Sequence, residues 1–139
     1  ARAYGYWIAR GALTLLVLKT VDFTALHEAG TLFLQHLLLH TFLMSQTRLP
    51  MLTPRARQNL LRAPSQVDRE RIEQLLVRGT VGQPRLAQGL FVFCHMHLHR
   101  ETLATLLGDV AIVRRLEWTV NVARDTLSVG AASADASDA

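Results

Sequence analysis

The chain has 139 residues, half of them apolar and 19% charged, which suits one globular domain, leaves little room for a second and excludes a disordered solvating tail. Its one cysteine, Cys94, excludes an internal disulfide framework and a Cys-built zinc finger. The net charge is +4, from 15 bases and 11 acids, and an excess of this sign favours anionic partners.

Fourteen of the 15 bases are arginine, Lys19 being the exception. Arginine makes planar bidentate pairs with carboxylate or phosphate. The excess is concentrated in residues 48–85, with eight bases against three acids. The chain opens on Ala1 without a charged-then-apolar leader, so the expected history is a processed protein that is not secreted.

Residues 4–18 predict a helix weakened at Gly11. Asp22 is placed to cap the next one, 23–45, whose Leu, Phe and Met side chains occupy nearly every direction around the axis. His27, Glu28, Thr31 and Gln35 form its narrow polar strip. A helix of this kind is buried in protein or lies in lipid. The charge-free stretch 29–47 has 19 residues, close to the length needed to cross a bilayer, but it carries two histidines and Gln35. Thr53-Pro54 then starts a short basic helix that ends before Pro64. Ser65-Gln66-Val67-Asp68 is a capping box with Asp in the third position after the cap. The helix it opens, about 66–78, is expected to bury Val67, Ile72, Leu75 and Leu76 and to stop at Gly79.

Pro84 starts another helix, reaching about residue 98. Residues 90–99 also alternate, with Val92, Cys94, Met96 and Leu98 opposite His95, His97 and His99, and 116–122 alternates likewise. Short strands near 91–98 and 116–122 would give an α+β alternative; helix is preferred for both. Residues 100–107 are helical, Gly108-Asp109 is a stop and restart, and 110–127 aligns Val113, Leu116, Val120 and Leu127. The fold expected is all-α, five or six helices around 23–45, in a single domain 1–129. A flexible Ala/Ser/Asp tail, 130–139, would follow.

Histidine is the unusual feature. His36 and His40 stand at i and i+4, as do His95 and His99, and two such pairs facing each other would suit a transition metal or haem. Neither pair has a carboxylate or thiolate spaced to complete it, so no metal and no cofactor is expected. Cys94 among Phe91, Val92 and Phe93 reads as a packed thiol. No Gly-rich phosphate loop and no convergent carboxylate pair is present, so an enzyme is not expected. Residues 48–85 lack the interleaved aromatics that single-stranded nucleic acid would use.

The function that follows is a non-enzymatic accessory or structural subunit of a multi-protein assembly. It would bury its apolar helix against partner chains and present Arg55, Arg57, Arg62, Arg69 and Arg71 to an anionic or acidic neighbour. The setting expected is an organellar, mitochondrial membrane or its surface, with acidic lipid head groups as a further partner. The alternatives are a His-ligated metal or haem protein and an RNA- or ribosome-associated structural protein.

Overall fold

The computed structural model describes residues 2–9, 15–46, 58 and 60–137. Among them are six α-helices: α1 (Arg2–Ala9), α2 (Glu28–Ser45), α3 (Gln66–Thr80), α4 (Pro84–His97), α5 (Arg100–Leu107) and α6 (Val110–Ser137). A 3-10 turn covers Leu15–Leu18, Gln58, Leu60 and Leu61 are also helical, and no described residue is in a strand. The architecture is an all-α bundle. α3, α4 and α5 pack along α6, α4 most extensively, and α1 packs on α2.

The α+β alternative fails because both ambiguous stretches bury residues with a helical period. Leu90, Phe93 and Cys94 are inside α4 while Val92 and Met96 face outward; Leu116, Thr119, Val120 and Ala123 are inside α6. Half of the apparent strand alternation in 90–99 is therefore surface.

Three expected boundaries move. The stretch 4–18 is not one helix: α1 ends at Ala9, and Leu15–Leu18 form a 3-10 turn packed on α3. The helix expected from residue 23 begins at Glu28 with His27 in the cap position. Asp22 instead accepts from the Thr24 amide at 3.0 Å and hydroxyl at 2.6 Å, closing a local turn that competes with helix. That turn seats Phe23 edge-on to Phe93, with ring centroids 6.2 Å apart. Third, α3 does not stop at Gly79. Gly79 lies inside the helix, where an added Cβ would stand 2.6 Å from the Leu15 Cβ, and the chain turns left-handed at Gly82 (φ 67°). The residue is small because the 3-10 turn lies against it.

Other local signals operate as expected. The Ser65 hydroxyl accepts from the Asp68 amide at 3.2 Å and the Asp68 carboxylate from the Ser65 amide at 3.1 Å. Pro84 opens α4. Gly108 ends α5 at φ 69°, and Asp109 accepts from the Ala111 amide at 3.1 Å to start α6.

The second half of α2 is buried almost completely, from Leu37 to Gln46 with His40 partly open. Its apolar circumference is satisfied within the chain: α1 covers one side, α3 and α6 the other. Buried hydroxyls bond back to the helix, Thr41 to the Leu37 carbonyl and Ser45 to that of Phe42. Of the thin polar strip, Gln35 is buried and donates to the His97 carbonyl at 3.0 Å, while His27 and Glu28 stay exposed. α1 lies close on α2 because Gly5 has no side chain. A Cβ there would meet the His40 Cβ at 2.8 Å and the Leu37 carbonyl and Thr41 amide at 3.0 Å. Residues 130–137, placed by sequence in a tail, continue α6 as helix, and Gly130 lies against Ala87 of α4.

No helix among the described residues is long and apolar enough to cross a membrane.

Candidate interaction site

The capping box of α3 extends into a buried polar lattice. Asp68 is fully buried, and its Oδ2 accepts from Arg115 Nη2 at 2.7 Å. Arg115, 4% exposed, also donates through Nη1 to the Arg62 carbonyl at 2.7 Å and through Nε to Gln46 Oε1. Gln46 in turn donates to the Thr119 hydroxyl at 2.7 Å. The Arg115 guanidinium stands 5.4 Å from the Trp118 ring centroid. One arginine thus ties the end of α2, the lead-in to α3, α3 itself and α6. Burial pushes the Asp68 carboxyl upward, but hydrogen bonds from Ser65 and the charge of Arg115 outweigh it and hold the group below the ordinary carboxylate value.

This lattice sets the rotation of α3. Asp68 turned inward brings Ile72, Leu76 and Gly79 with it, leaving Val67, expected in the core, 54% exposed. The opposite face then carries Val67, Glu70, Arg71, Gln74, Val77, Arg78 and finally Val81. These positions recur at three- and four-residue spacing along one stripe about a third of the circumference wide. Apolar tips alternate along it with two guanidiniums.

The five arginines proposed from sequence do not share one role. Arg55 and Arg57 lie outside the described residues. Arg62 is exposed and 3.6 Å from Asp68 Oδ1. Arg69 pairs with Glu73 at 2.9 Å along the flank of α3. Arg71 lies on the outer stripe, where Arg78 joins it one heptad on. Arg78 was legible from that spacing. Arg115 was legible only as a charge within a mostly apolar face of Ile112, Val113, Leu116 and Val120.

The histidines make separate local contacts. His36 and His40 stack on α2 with ring centroids 6.3 Å apart. His95 lies parallel to Phe91, His97 packs on Phe93 at 4.9 Å, and His99 stands at the start of α5 with its ring 3.0 Å from the Thr102 hydroxyl. Among the described residues no group of three or more His, Cys, Asp or Glu side chains is placed to hold a metal ion. Cys94 is buried, and that burial pushes its thiol up to about 12. A shallow cleft of about 200 Å³ between α5 and α6 is lined by Arg100, Ala104, Gly108, Val110, Val113 and Arg114. Its Arg100 lies 3.8 Å from Glu117, and no nucleophile lines it.

A second exposed surface is apolar. Tyr4, Trp7, Leu32 and Phe33 are each 43–48% exposed where α1 crosses the start of α2. Tyr4 is edge-on to Trp7 at 5.5 Å and to Phe33 at 6.3 Å. Its sequence signal is the concentration of Tyr4, Tyr6 and Trp7 within four positions. No protein-family model, curated protein or solved structure matches the chain.

Proposed function

We propose that the chain is a non-enzymatic accessory subunit of a multi-protein assembly, and that the outer stripe of α3 is the face it presents to a partner helix. The observation that carries this reading is the exposure of Val67, Val77 and Val81 in register with Arg71 and Arg78. Three apolar side chains at helical spacing supply anchors for a helix lying alongside. The arginines favour a partner with carboxylates beside its own apolar stripe, because charge complementarity sets orientation and association rate. The Arg115 lattice holds the stripe rigid, so docking costs little ordering. An organellar, mitochondrial membrane surface remains the proposed setting, supported by the apolar composition and the arginine-rich charge.

A photo-crosslinking residue at Val67, Val77 or Val81, in the cells that make the protein, tests the face. Discrete protein adducts at these positions, absent at the more exposed control Val129 and weakened by Arg71→Glu with Arg78→Glu, are expected. Adducts that ignore both the position and the charge reversal would remove α3 from the interface.

A further inference from the structure

We draw no further inference here: the strongest candidate, the exposed face where Tyr4 and Trp7 of α1 stand beside Phe33 of α2, is an unpartnered apolar surface, and nothing among the described residues shows what covers it.

Discussion

The two ends of α2 are held in opposite ways. At its C-terminal end Gln46 belongs to a lattice in which Arg115, Asp68 and Thr119 satisfy one another out of water. Toward its N-terminal end Leu32 and Phe33 stand half in solvent, and α1 packs close on α2 further along, where Gly5 faces Leu37, His40 and Thr41. The first arrangement is directional: the angles of a guanidinium and a carboxylate fix how α3 rotates and which face it shows. The second excludes water on its inner side and leaves aromatic rings outside. A molecule built this way has one mixed surface aimed by the buried lattice and one apolar surface.

Removing the guanidinium should have the largest effect. Arg115→Ala leaves a fully buried carboxylate with only the exposed Arg62 guanidinium 3.6 Å away, takes the Arg115 hydrogen bonds from the Gln46 and Arg62 oxygens, and should cost about 3–5 kcal/mol in urea unfolding. Arg115→Met with Asp68→Asn should recover part of that, since the uncompensated charge is gone; a double-mutant cycle measures the coupling. Purely additive losses would mean the two regions are held alike.

Gly5→Ala probes the packing of α1 on α2. The new methyl meets the His40 Cβ and α2 backbone within 3.0 Å, so overpacking should cost about 1–3 kcal/mol against a smaller gain in helix propensity. Hydrogen exchange should speed up in α1 and leave α4 and α6 unchanged. Equal acceleration throughout would show that α1–α2 does not open on its own.

Acid separates the regions by titration. The folded Asp68 carboxyl sits below its ordinary value, so the stability it contributes is present above the unfolded value of about 3.9 and is lost as pH falls through the folded one. Urea midpoints from neutral pH down to pH of about 3 should fall more steeply in the parent than in Asp68→Asn. Parallel slopes would remove Asp68 from the acid response.

The smallest effects belong to caps and surface. Ser65→Ala removes the hydroxyl that caps α3 and should cost about 0.5–2 kcal/mol. Asp68 should then show a smaller acid-linked stabilisation, because one of the hydrogen bonds favouring its charged form involves Ser65. An unchanged acid response would mean that the backbone amide of residue 65 and Arg115 set it without the hydroxyl.

The limits of sequence reading are physical ones. The capping box at Ser65, the start at Pro84 and the stop at Gly108 were legible because each is decided by bonds within four residues. The helical periods of 84–97 and 110–127 were legible because one face of each repeats at 3.6 residues. Asp22 was misassigned because its carboxylate has two local uses, a helix cap and a turn, and the seat of Phe23 beside Phe93 goes with the turn. Val67 was misassigned because the rotation of α3 answers to Arg115, 47 positions beyond Asp68. Composition and local spacing determined that this chain is helical and where the helices from residue 66 onward begin, since backbone hydrogen bonds and caps are short-range. Which arginine is buried, which valines are left outside and where the aromatic face emerges were decided only in the tertiary structure. Desolvating a charge is favourable only when partners distant in the chain converge on it.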